Sequence, residues 1–317
     1  MIRGFFWCAV SLFLICACGG RGPSSPVAHP SVSTVEDGEA LIESGDIAGA
    51  RSVFEEIVAA DGGNARALYY LGFCLSNLGD VEGAITRYES ALRLDSSLNE
   101  ARLNLGLARL EKGDITGAVA ILEEAVAQEP DAADAQLNLA YAFEAAGDRD
   151  RAREGFEKAA TLDPEDPDPL LALGTMAMDD RRFDEARKYY EQARQVAPED
   201  GVAAFNLAQV LIEKKETARA VELLVSIPKL ESDGGLMATA GIYLARLKEE
   251  ELALDLYRAA VSADPPWPEA HILLGNALAR KGDFQQAAGH FEKYLEIDPD
   301  SPRAEAARQG LEACRKR

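Results

Sequence analysis

Residues 68–95 read LYYLGFCLSNLGDVEGAITRYESALRLD, and residues 103–130 read LNLGLARLEKGDITGAVAILEEAVAQEP. In both, apolar residues recur three and four positions apart on either side of a central Gly-Asp, the pattern of two amphipathic helices joined by a tight turn. Gly79-Asp80 and Gly113-Asp114 stand 34 residues apart. A recurrence at that spacing marks a stack of identical supersecondary units rather than one compact core.

The period holds along most of the chain. Units span 31–64, 65–98, 99–132, 133–166, 167–200, 201–233, 234–267 and 268–301, with one residue lost before the seventh. The twentieth position is alanine in all eight: Ala50, Ala84, Ala118, Ala152, Ala186, Ala220, Ala253 and Ala287. Four residues on comes a large apolar side chain: Phe54, Tyr88, Leu122, Phe156, Tyr190, Leu224, Tyr257 and Phe291. The eighth position is always Gly or Ala. Small residues at positions eight and twenty let two helices cross closely, and the bulky residue at twenty-four fills the space beside the crossing. The glycine of the central Gly-Asp tolerates the positive φ that ends a helix. The aspartate suits the start of the next. Pro130, Pro164, Pro198, Pro265 and Pro299 stop the second helix of their units.

These motifs resemble the tetratricopeptide repeat family over about 270 of the 317 residues. The resemblance implies an all-α fold: a right-handed superhelical solenoid of about eight helical hairpins. A capping helix and basic tail are expected over 302–317, with Ala304, Ala307, Leu311 and Cys314 on the inner face. Repeats five to seven depart from the pattern, carrying Arg181, Lys215 and Lys248 where the central glycine belongs. In repeat six Pro228 falls before the usual helix end and Gly234-Gly235 follows. Those residues read either as a harmless irregularity or as a hinge between repeats one to six and seven to eight. Trp267, between Pro266 and Pro268, is expected to pack against the hairpin that follows.

Net charge is −21, from 54 acidic and 33 basic residues. Such a balance argues against nucleic acid, whose phosphates need a basic face. No phosphate loop, dinucleotide fingerprint or nucleophile elbow occurs. His271 and His290 have no Cys or carboxylate at metal-ligand spacing, so neither a metal nor another cofactor is expected. Cys74 stands at a core position and reads as a buried thiol. A non-catalytic protein follows from these readings.

In the family, positions five, nine and twelve of the first helix line the concave face. Carried over, they give Tyr69, Phe73, Leu103, Leu107, Leu110, Leu137, Tyr141, Phe205, Ile212, Ile242 and Ile272 as a candidate groove. The row either packs against neighbouring helices or accepts apolar or amphipathic segments of partner proteins. Asp134, Asp168, Asp179, Asp180 and Glu144 are its candidate acidic rim. The Lys, Arg and Asn set with which some family members clamp a terminal carboxylate is missing.

The N-terminus is an address. Arg3 precedes an apolar run from Phe5 to Ala17, which has the length of a signal-peptide core. It is shorter than the roughly 20 residues of a membrane span. The run ends Ile15-Cys16-Ala17-Cys18-Gly19-Gly20, which resembles the bacterial lipobox with Cys18 as the acylated residue. An ordinary cleaved signal is the alternative, but no clean small-x-small site follows the run. Residues 1–18 are then a lipoprotein signal, and 19–33 (GGRGPSSPVAHPSVS) are a flexible tether. Gly19 is not the aspartate that holds lipoproteins at the inner membrane, so the resemblance implies an outer-membrane anchor facing the periplasm. The anchor-plus-array plan is shared with repeat lipoproteins that assist pilus or secretin assembly. A regulatory adaptor of a cell-wall hydrolase or protease is the rival expectation.

Overall fold

The computed structural model describes residues 33–230, 232–263 and 267–317. The signal segment, Cys18, nearly all of the tether, Pro265 and Pro266 lie outside the described residues. Among the described residues there are seventeen α-helices and no strand. None of these helices is long and apolar enough to cross a membrane. In chain order they pair as α1 (Val35–Glu43) with α2 (Ile47–Ala60), α3 (Ala65–Asn77) with α4 (Val81–Leu94), and α5 (Asn99–Lys112) with α6 (Ile115–Gln128). Next come α7 (Ala133–Ala145) with α8 (Arg149–Leu162), α9 (Asp168–Asp179) with α10 (Phe183–Val196), and α11 (Gly201–Glu213) with α12 (Thr217–Leu230). The last pairs are α13 (Gly234–Arg246) with α14 (Glu250–Val261) and α15 (Glu269–Lys281) with α16 (Phe284–Ile297). A single helix, α17 (Ala304–Arg315), follows them.

The turn inside each hairpin is built the same way. Gly45, Gly79, Gly113, Gly147 and Gly282 all have φ between +79° and +91°, a region open to glycine at little cost. The aspartate that follows caps the next helix: Asp80 Oδ1 accepts from the Gly83 amide at 2.9 Å, and Asp114 Oδ1 from the Gly117 amide at 3.0 Å. Repeats five to seven make the same turn without either residue. Arg181, Lys215 and Lys248 adopt φ of 57°, 63° and 67°, and neither Arg182 nor Glu249 caps the helix behind it with its side chain. A left-handed residue carrying a Cβ costs about 1–2 kcal/mol. The cationic side chain at a helix carboxyl end offsets part of that. Arg181→Gly, Lys215→Gly and Lys248→Gly are each expected to raise stability by about 0.5–1 kcal/mol. A higher urea midpoint at unchanged slope is the expected reading; an unchanged or lower midpoint contradicts this account of the turns.

Packing follows the small-residue rows. All eight alanines at position twenty and all eight bulky residues at position twenty-four are at most 3% exposed. A Cβ on Gly106 would come within 2.6 Å of Leu122 Cδ2, and one on Gly72 within 2.8 Å of Tyr88 Cδ1. Glycine is therefore what lets the two helices of these hairpins close. Repeat four reverses the arrangement. Ala140 holds position eight, and the facing helix compensates with Gly155, whose own Cβ would lie 2.7 Å from that of Ala140.

Buried apolar side chains cross the junction after repeat six. Helix α12 runs on through Pro228. Leu224, Ile227, Met237, Ala238 and Leu244 belong to one buried cluster that continues to Tyr257 and Phe291. A Cβ on Gly234 would meet Ala260 O at 2.9 Å and Trp267 Cβ at 3.0 Å, so glycine is there for close approach. Trp267 thus packs back on the start of α13, in its own hairpin. At the far end Ala304, Ala307 and Cys314 of α17 are buried and Leu311 is half-buried. Gly310 leaves room for the Phe291 ring, which closes the last hairpin. The whole is an all-α superhelical repeat array.

Candidate functional site

The first helices of neighbouring hairpins touch one another, α7 and α9 excepted: α1 with α3, α3 with α5, α5 with α7, α9 with α11, α11 with α13, and α13 with α15. Among the second helices, only α12 and α14 approach one another to a comparable extent. The odd-numbered helices therefore line the inside of the curve, and the even-numbered ones splay along the outside.

Nine of the candidate groove residues are half-buried: Tyr69, Phe73, Leu103, Leu107, Leu110, Leu137, Tyr141, Ile212 and Ile242. The other two are not open. Phe205 is 8% exposed and Ile272 9%. The Phe205 ring is covered by Tyr243 of the next first helix, edge-on at 5.3 Å. The apolar row is thus accessible mainly over repeats two to four, and the later repeats close over part of it. Leu171 and Met178 on α9 are half-buried at positions five and twelve. They extend the row into repeat five, and the positional rule that found the others would have found them.

Aromatic contacts fix the entrance to the row. Tyr69 packs at 4.9 Å from the Tyr70 ring and 6.1 Å from Tyr88, and Tyr70 stacks on Phe54 at 5.2 Å. Asn104 Nδ2 donates to the Tyr69 hydroxyl at 3.3 Å, joining repeats two and three. Burial, then Tyr70 and Glu100, push the Tyr69 hydroxyl up to about 12, so it stays a neutral phenol. Tyr141 meets Phe156 edge-on at 5.0 Å.

The rim residues divide. Asp134 and Asp168 are exposed in the first turns of α7 and α9. Glu144 is half-buried with no hydrogen bond or ion pair among the described residues, and burial raises it above the usual carboxylate range. Partial loss of water around its carboxyl, with Asp166 and Asp200 nearby, does the same to Asp168 although the residue reaches solvent. Asp179 lies 3.7 Å from Arg149. Asp180 is no free rim acid: Arg149 at 2.9 Å, Arg182 at 2.9 Å and Arg153 at 3.3 Å hold it in the turn between α9 and α10.

Two groups lie away from this face. Cys74 is fully buried and unpaired, its thiol pushed up to about 11 by burial. His271 and His290 bring their Nδ1 atoms to 3.0 Å across the last hairpin. Burial lowers both below the usual imidazole value; His290 and Lys293 add to this for His271, and Arg258 for His290. The native state then binds fewer protons here than the unfolded chain. The pair's contribution to stability is full above about pH 6.5 and falls as pH drops through the lowered native values. Urea midpoints of wild type and His271→Phe/His290→Gln should therefore diverge below about pH 6.5, with the wild type falling more steeply. Parallel pH profiles would contradict it.

Tetratricopeptide repeat family models match residues 41–110, 103–167, 177–240 and 239–302. No curated protein sequence matches the chain. Among solved structures, yeast Tom70 is similar with a TM-score of 0.68 at 19% identity, over 86% of this chain and 59% of that one. The Cut9–Hcn1 hetero-tetramer of the APC/C aligns at 0.52 and 17%, over 87% and 54%. PilF of Pseudomonas aeruginosa aligns at 0.50 and 22%, over 68% and 98%. At these identities the likeness is one of fold. The helical hairpins, the conserved spacing of their small and bulky positions and the family matches together place this chain in the tetratricopeptide repeat family, whose members are protein-interaction scaffolds.

Proposed function

We propose that this protein is a non-catalytic scaffold, tethered through a lipid on Cys18 in a bacterial envelope, that holds segments of partner proteins on its concave face. The observation that carries the reading is the run of half-buried apolar side chains on α3, α5 and α7, from Tyr69 to Tyr141. A contiguous row of this kind, bordered by carboxylates, suits a partner with an apolar or amphipathic face. The lipobox-like Ile15-Cys16-Ala17-Cys18 and the Gly/Pro/Ser-rich segment behind it support an anchor with reach. An outer-membrane position facing the periplasm, and a part in assembling an envelope, pilus or secretion complex, belong to the same proposal.

Two variants separate its parts. Cys18→Ala should abolish palmitate labelling and release the protein from membranes; retention of either contradicts the anchor. Leu107→Glu should keep the membrane position and lose crosslinked partners in intact cells. Equal partner recovery from Leu107→Glu and wild type contradicts the groove.

A further inference from the structure

Carboxylates border the apolar floor on both sides in three consecutive repeats. At the amino ends of α5, α7 and α9 stand Glu100, Asp134 and Asp168. Near the carboxyl ends of the same helices stand Glu111, Glu144 and Asp179. The members of each pair are ten or eleven residues apart in sequence. Eleven residues are about three turns, which returns Glu100 and Glu111, and Asp168 and Asp179, to one face about 16 Å apart; ten place Glu144 about 15 Å from Asp134 and about 80° round the helix from it. Leu107 and Tyr141 lie between them on that face.

The two rows differ in what local structure explains. Acids in a first turn are favoured by the helix dipole, so the first row has a reason independent of any partner. Acids in a last turn are disfavoured by the same dipole. Glu111 and Glu144 nevertheless sit there with no cation paired to them among the described residues. Asp179 has only Arg149, at 3.7 Å. Burial raises the Glu144 carboxyl; the charge of Arg149 partly offsets this, and Asp179 adds to it. A half-buried charge opposed by the dipole and held in no ion pair of its own is the arrangement expected where a cation from outside completes the site.

We infer that the groove over repeats three to five takes a cationic amphipathic helix of a partner protein, its apolar stripe on Leu107 and Tyr141 and its Lys or Arg residues reaching both carboxylate rows. The inference rests on the concave-face reading above and adds the partner's charge and shape. Width selects the helix. A helix with side chains is about 10–12 Å across, so long basic side chains on its two flanks span the 15–16 Å between rows. A single extended strand, under about 5 Å wide in the sheet direction, meets one row only. Adjacent packed helices are about 8–10 Å apart, so one repeat corresponds to about six or seven residues of such a partner. Its basic residues would recur at nearly heptad spacing on each flank.

The test uses the full chain and labelled helical peptides of about 21 residues, enough to cross three repeats. All share one leucine stripe and carry Lys, Gln or Glu on both flanks; a fourth has the Lys composition with the stripe scattered. Fluorescence anisotropy is read at about 50 and 300 mM salt, where exposed charge attraction is strong and then screened. The Lys-flanked peptide should bind at least about tenfold tighter than the Gln-flanked one at low salt, lose that advantage at high salt, and exceed the scattered peptide throughout. Glu111→Gln/Glu144→Gln/Asp168→Asn relieves repulsion and stays folded, yet should erase the preference for Lys. Leu107→Asn, which adds no charge, should weaken every striped peptide. Equal binding of Lys and Gln peptides, both weakened by Leu107→Asn, overturns the cationic partner and leaves the groove. Binding indifferent to Leu107→Asn overturns the groove itself. Equal binding by the scattered peptide, or no binding of the Lys-flanked one, overturns the inference.

Discussion

Phe156→Ala is expected to cost about 3–5 kcal/mol, the largest effect of any single truncation in the array. The ring is fully buried, packs edge-on against Tyr141 at 5.0 Å, and stands at the centre of the cluster that joins repeats three to five. Ala140 on the facing helix and Gly155 beside the ring are too small to fill the space it would leave. In a solenoid each hairpin touches only its neighbours, so the loss should stay local. Hydrogen exchange should accelerate in α7, α8 and α9 while α13 to α16 keep their protection. Uniform acceleration along the chain would mean that the array unfolds as one unit. The change also removes support from beneath Tyr141, so this variant should weaken partner binding without touching a partner.

Gly174→Val acts in the opposite sense, by overfilling. A Cβ at this position would enter the Tyr190 ring edge, 2.7 Å from Cδ1. The ring cannot swing away cheaply, since its hydroxyl is bonded to Thr175 Oγ1 at 3.1 Å and its body is 2% exposed. A β-branched side chain there should cost about 2–3 kcal/mol by forcing α9 from α10. Ala140→Gly in repeat four should cost about 1 kcal/mol at most, because that crossing already has its clearance from Gly155. The measurement is the shift in urea midpoint for each. Similar small shifts would show that the eighth position is not what sets the helix crossing.

Much of this architecture was legible before any coordinates, because a repeat states its packing rule many times over. The alanine at position twenty and the bulky residue at twenty-four are interior in every hairpin. What the period could not convey is how one hairpin leans on the next. Phe205 and Ile272 occupy groove positions in the pattern, yet the turn of the superhelix brings Tyr243 over the first, and both are buried. Gly234 reads in the sequence as part of an irregularity or a hinge, but Ala260 and Trp267 fill the space a side chain would need there. Asp180 looked like a rim acid until three arginines from α8 and the α9–α10 turn were seen around it. Each of these is a contact between residues more than 25 positions apart or across a turn, where local periodicity carries no information. The left-handed turns of repeats five to seven show the converse: the array imposes a backbone on Arg181, Lys215 and Lys248 that their own preferences oppose.

Partners are proposed to sit on the inner face of the first helices. A photo-crosslinking residue placed at Leu107 or Tyr141, on that face, and at Glu124, exposed on α6 outside the curve, tests it in living cells. One shared crosslinked product is expected from Leu107 and Tyr141, and none of it from Glu124. The same product from Glu124, with silence at both groove positions, would contradict it.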